Sequence, residues 1–174
     1  YDWQAKVGDV ENAFLHGKHP YKTLIRWPKD LRPLDKNGRE LVYWLLGNMY
    51  GTTTGGQVFH TKQRAVLGKI GFKPFHSDPA VMMLVMDTEI KEKCLMFSHV
   101  DDDAFGAKDN ALIEWIFEKM REVFVMTGPD ELLTFCGLNR VVDGDILILH
   151  GIPWIKMRLK EFGLLNEDGE PKTG

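Results

Sequence analysis

The sequence predicts an α+β fold of ferredoxin-like order, an antiparallel sheet with helices packed on one face. Three observations predict it. Apolar runs of strand length and two amphipathic helical stretches follow one another as strand, helix, hairpin, helix, strand. The hairpin breaks at three consecutive carboxylates, Asp101-Asp102-Asp103. Tracing directions through that order carries the end of the first strand, Asp9, to the same rim of the sheet as the hairpin tip.

With 174 residues, 44% of them hydrophobic, the chain has the size of one domain with a substantial core. The expected organisation is a single domain over residues 1–165, carrying an inserted excursion at 16–50 and followed by a polar tail at 166–174. A net charge of −3 gives no global basic field of the kind that advertises nucleic-acid binding. No apolar run is long enough to span a bilayer. The opening Tyr1-Asp2-Trp3-Gln4 has neither a signal-peptide pattern nor an initiator Met, so an excerpt of a longer chain, or a trimmed one, is expected. Cys94 and Cys136 lack metal-ligand spacing and are expected to be reduced, buried thiols of an intracellular protein.

The elements follow in order. Residues 4 to 10 read as a strand ending in Asp9, for which helix capping is the plain alternative role. Within the excursion, 23–27 and 40–46 look like two strands, joined by a loop ending in the hairpin-favouring pair Asn37-Gly38. Tyr50 to Gly56 is a hydroxyl- and glycine-rich loop. It opens into a helix at 57–70 with Val58, Phe59, Val66, Leu67 and Ile70 on one face, closed by Gly71-Phe72. Such a loop can cradle phosphate, but it lacks the lysine of a phosphate-binding motif, and on the residues alone a plain helix entry is the preferred account. Ser77-Asp78-Pro79 leads to a strand at 81–86, and the acidic hairpin follows.

Asp109 or Asn110 caps a second helix, with Leu112, Ile113, Ile116, Phe117, Met120, Val123 and Phe124 facing inward. Beyond Gly128-Pro129-Asp130 one strand is expected at 134–141. Asp143-Gly144 then turns into a strand at 146–149. Pro153 starts a last helix whose Trp154, Ile155, Leu159 and Phe162 line one face, and Gly163 ends it. The tail after Asn166 is expected to fray.

Three adjacent carboxylates repel one another, so a turn that gathers them needs either free access to water or a cation. A solvated acidic turn is the plain account. A site for Mg²⁺ or Mn²⁺, held by hard carboxylate oxygens, is the sharper one. Convergence of Asp9 from a second strand favours it, because paired ions on shared carboxylates are what two-metal phosphoryl transfer needs.

At this point the residues resemble a known family. Asp9-Val10-Glu11-Asn12-Ala13-Phe14-Leu15-His16-Gly17 looks like the Asp-Val-x-x-Ala-Phe-Leu-x-Gly of copia-type retrotransposon reverse transcriptases. Asn48-Met49-Tyr50-Gly51 is similar to that family's Leu-Tyr-Gly segment, and Ser77-Asp78-Pro79 to its Ser-Asp-Pro. Val100-Asp101-Asp102 corresponds to its Tyr-Val-Asp-Asp, and Phe135-Cys136-Gly137-Leu138 to its Phe-Leu-Gly-Ile. The matches run in order from before the first catalytic motif to past the primer-gripping region.

The resemblance implies a reverse-transcriptase palm acting as an RNA-directed DNA polymerase. Asp9 and Asp101 would bind two Mg²⁺ or Mn²⁺ ions, with Asp102 supporting them. Phe14 would be the aromatic gate that excludes a ribose 2′-hydroxyl. Tyr50, Gly51, Thr54 and Gly55 would lie at the incoming deoxynucleoside triphosphate, and the partners would be an RNA or DNA template-primer. Where the family has Lys-Gln-Ala-Pro-Arg, this chain has Thr53-Thr54-Gly55-Gly56-Gln57, which removes two cations. His99 replaces a usual Tyr, and Asp103 adds a third acid. The family's basic fingers residues lie upstream of Tyr1, so these 174 residues alone are not expected to extend a primer. A second reading makes the chain a catalytically inactive, recruited palm, held by protein partners as a structural subunit of a larger assembly.

Overall fold

A computed structural model describes residues 3–86, 92–144, 146–166 and 169–170. The expected fraying of the tail falls mostly on residues outside that description. In chain order the strands and helices begin with β1 (Gln4–Asp9), β2 (Leu24–Ile25), β3 (Tyr43–Trp44), α1 (Gly55–Ile70), β4 (Lys73–Pro74) and β5 (Val81–Val85). Then come β6 (Lys93–His99), β7 (Asp102–Ala107), α2 (Asn110–Arg121) and β8 (Asp130–Glu131). Last are β9 (Thr134–Phe135), β10 (Leu138–Asp143), β11 (Ile146–His150) and α3 (Ile152–Glu161).

The fold is α+β, as the order of elements predicts. Six strands form one antiparallel sheet in the order β4-β5-β6-β7-β1-β8. Four consecutive strands of it, β6-β7-β1-β8, are the ferredoxin-like set, and β5 and β4 extend the sheet beyond β6. One face of this sheet carries the core. Phe59 and Leu67 of α1 and Ile113, Ile116 and Phe117 of α2 are fully buried with Met96 and Phe105 of the sheet. The rings of Phe105 and Phe117 meet edge-on at 5.0 Å. At β1 this packing requires glycine: a Cβ on Gly8 would stand 2.3 Å from Phe117 Cε1 and 2.7 Å from the Thr127 carbonyl oxygen.

The helix ends follow local chemistry. Asp109 caps α2 by accepting the Ala111 N–H at 2.8 Å. Gly71, at φ 112°, ends α1 in the left-handed conformation that only glycine adopts without strain. In the excursion the Asn37-Gly38 turn forms as expected, with Asp35 accepting the Asn37 and Arg39 N–H groups. Its two flanking strands pair over only two residues each.

Several expectations are corrected. α1 begins at Gly55, so the loop after Tyr50 is shorter than the sequence implies. Val58 lies at the helix flank, where it fills the space a Cβ on Gly17 would take, while Gln63 occupies the buried stripe instead. The hairpin turn holds only Val100 and Asp101, because His99 pairs with Asp102 and Ser98 with Asp103. The expected strand at 134–141 is two strands: Cys136 and Gly137 both take positive φ, 51° and 76°, and make a two-residue hairpin turn. Cys136 is therefore exposed rather than buried; Cys94 is buried, and both are free thiols. Val123 lies beyond α2 and is exposed, whereas Phe124 is buried. α3 forms with Pro153 in its first turn, yet none of its residues is buried. No helix among the described residues is long and apolar enough to cross a membrane.

Candidate active site

β1 and β7 lie side by side with Asp9 directly opposite Asp102. Directly opposed residues of an antiparallel pair share a face, so both carboxylates project from the same side of the sheet. Asp101 is brought to them by backbone: its carbonyl accepts the Val10 N–H at 3.0 Å. On the other flank, the Asp9 carbonyl accepts the Thr127 N–H at 2.9 Å. The end of β1 is thus held from both sides. The turn itself is strained, because Val100 is β-branched and takes φ 59°.

Electrostatics follow from this crowding. Partial burial pushes the Asp9 carboxyl above its ordinary range, and the nearby charges of Asp101, Asp102 and Glu11 push it the same way. Asp9 and Asp102 line an open cleft of ≈ 400 Å³ whose far wall is Thr134 and the Cys136-Gly137 turn. Asp130 adds another acid to that lining. The donor set is made of hard carboxylate oxygens, which suit Mg²⁺ or Mn²⁺. Among the described residues no group of three or more acidic, histidine or cysteine side chains stands close enough together to hold an ion. The fit is therefore one of charge and donor type.

Asp103, the third acid of the triplet, is not at the rim at all. Strand alternation turns it into the core, where it is fully buried. Burial pushes its carboxyl up to about 8, while the polar side chains of Ser98 and Gln63 beside it act in the opposite sense.

The remaining sequence-predicted residues gather in a second group. Phe14 lies on a short 3-10 turn, Ala13–His16, just after β1. Its ring centroid is 5.0 Å from that of Tyr50, and a Cβ on Gly55 would stand 2.3 Å from its Cδ1. Phe14, Tyr50 and Gly55 are thus brought together. Thr54 directs its hydroxyl inward, donating to Asn48 Oδ1 at 3.3 Å, and Gly51 is an exposed turn residue at φ 86°.

Sequence reasoning missed Gln63, Ser98 and the Cys136-Gly137 turn. A signal existed for two of them. Gln63 lies four residues from both Phe59 and Leu67, which puts it on their stripe. A glycine in the second position of a tight turn flanked by Phe135 and Leu138 also marks a hairpin.

An antiparallel sheet in this order, with paired carboxylates at adjoining strand ends and helices behind, defines the class: a palm-like α+β domain. The sequence matches the family described as reverse transcriptase (RNA-dependent DNA polymerase) over residues 1–172, and the chain belongs to that family. No curated protein matches it. The family implies nucleic-acid substrates.

Proposed function

We propose that the chain is the palm of a copia-type reverse transcriptase, and that Asp9, Asp101 and Asp102 are its catalytic carboxylates. The observation that carries this reading is the register of β1 on β7, which sets Asp9 opposite Asp102 while Val10 holds Asp101 beside them. Divalent ions bound there would activate a primer hydroxyl and neutralise charge on the leaving phosphate. The chain's own part is to concentrate negative charge at one sheet rim and to leave a cleft beside it. The Cys136-Gly137 turn across that cleft is positioned to meet a primer end, and the Phe14–Tyr50 pair gives an aromatic surface on which a sugar or base can stack. Phe14 is assigned as the gate against a 2′-hydroxyl, with Gly51, Thr54 and Gly55 at the nucleotide.

A thermal-shift titration tests the metal role. Millimolar Mn²⁺ should raise the melting temperature through binding to the folded state, and Asp101→Asn should lose most of that response. In a polymerase carrying this palm, Asp101→Asn should abolish extension of a DNA primer on an RNA template. Phe14→Ala should preserve extension but admit ribonucleotides. Extension that survives Asp101→Asn would sink the assignment.

One observation favours the second reading, a palm kept as a structural subunit. Trp154, Ile155 and Phe162 of the last helix and turn are exposed at 53%, 50% and 76%, an apolar face of the kind partner proteins cover. On that reading Asp101→Asn leaves the assembly intact and its function unchanged.

A further inference from the structure

The stripe of α1 that faces the sheet carries Phe59, Gln63 and Leu67, one per turn, all fully buried. A glutamine in such a stripe is costly unless its polar atoms are partnered. They are. Gln63 Nε2 donates to Asp103 Oδ1 at 2.9 Å and to Oδ2 at 2.7 Å, and Gln63 Oε1 accepts from Ser98 Oγ at 3.0 Å. Ser98 and Asp103 are directly opposite across the β6-β7 hairpin, one rung below His99 and Asp102 and next to the Val100-Asp101 turn. One side chain of α1 therefore grips both strands of the hairpin at the last inward-facing rung before its tip. Gly8, opposite Asp103 on β1, contributes no side chain to compete for that space.

The tip needs holding. A β-branched residue in the left-handed region persists only where its surroundings over-determine it, and Val100 is such a residue. The Val10 N–H on the Asp101 carbonyl is one restraint beyond the hairpin ladder, and the Gln63 grip is another. Stability alone does not account for the grip, since an apolar pair of similar volume in place of a buried polar pair is often neutral or better.

We propose that Gln63 is a positioning residue that fixes the acidic tip. By gripping Ser98 and Asp103 it holds the Val100-Asp101 turn against the end of β1, and so sets where Asp101 and Asp102 stand relative to Asp9. The consequence for metal binding rests on the carboxylate reading above; the consequence for the backbone does not.

Amide hydrogen exchange on the 174-residue protein separates the two. The double variant Gln63→Leu/Asp103→Leu removes the buried polar pair together and leaves only the half-buried Ser98 hydroxyl to find another acceptor. Its melting temperature should be no lower than that of wild type. The Val10 N–H, which is bonded to Asp101, should exchange roughly tenfold faster or more as the tip loosens. The Phe72 N–H, bonded to Leu67, and the Thr127 N–H, bonded to Asp9, should be unchanged, which a general loss of stability would not allow. The Mn²⁺ concentration for half-maximal thermal shift should rise in the same variant. Ser98→Ala, a milder change at a half-buried site, should move Val10 exchange in the same direction by less, and it decides the matter if the double variant does not fold. Unchanged Val10 exchange in the folded double variant, or in Ser98→Ala where that stands alone, overturns the proposal. A wild-type protein without any Mn²⁺ response removes the metal reading instead, and the exchange result still decides the role of Gln63.

Discussion

α2 and α3 make an instructive pair. Both carry a helix-start signal, a capping Asp109 in α2 and a proline in the first turn of α3, and both carry Trp and Ile among polar residues at helical spacing. α2 buries Leu112, Ile113, Ile116, Phe117 and Met120 against the six-stranded sheet. α3 buries none, and the neighbouring three-stranded sheet β11-β10-β9 leaves Val142, Ile146 and Leu149 more than half exposed. The apolar pattern is common to both regions; the surface opposite it is not. An amphipathic face states what a helix can bury, and the topology states whether anything is there to bury it against.

Four measurements break or sharpen that contrast, beginning with the largest effect. Phe117→Ala should cost about 3–5 kcal/mol in urea unfolding, because its ring leaves a hole against Phe105. A cost under about 1 kcal/mol would mean that the α2 core is loosely packed. Gly8→Ala should cost about 1–3 kcal/mol, since the added methyl meets the Phe117 ring on one side and a fixed carbonyl oxygen on the other.

The third measurement concerns pH. Asp103 keeps its proton in the folded chain up to about 8, whereas the unfolded chain releases it near 3.8. Between those values the folded state binds more protons, so this group's contribution to stability is full below 3.8 and is lost as pH rises towards 8. Asp9, also raised, acts in the same sense. Urea midpoints should accordingly fall across that window, and Gln63→Leu/Asp103→Leu should flatten the slope. The smallest effect belongs to the other region. Phe162→Ala should change stability by no more than about 0.5 kcal/mol, the range of ordinary surface substitutions. A loss comparable to that of Phe117→Ala would mean that the α3 face is covered in solution. Glu118→Ala, on the exposed side of α2, is the matching control and should be as quiet.

Much of the site was legible in the chain. Asp9 could be placed at a strand end and Asp101 at a hairpin tip from apolar runs and their breaks alone. Directions through the element order then put both on one rim. The phase of α2 was also legible, because five apolar residues at helical spacing leave only one face to bury. The place of Gln63 on the α1 stripe could be read from its spacing, but its partner could not, since a single polar side chain in an otherwise apolar stripe carries no sign of what satisfies it.

The division has a physical reason. Local chemistry, from the Asp109 cap to the Gly71 terminus and the Asn37-Gly38 turn, acts within a few residues and is written in sequence order. So is the period of an apolar pattern. What the tertiary structure alone decided depends on residues distant in the chain. Asp103 stands among three like side chains in sequence, yet strand alternation and the hairpin register send it inward to Gln63, forty residues away. Ile155 carries the same side chain as Ile113 and Ile116 of the buried stripe of α2, yet it and Trp154 stay exposed, with no surface of the described fold closed over them. Burial is a property of what lies across from a residue, and sequence order does not contain it.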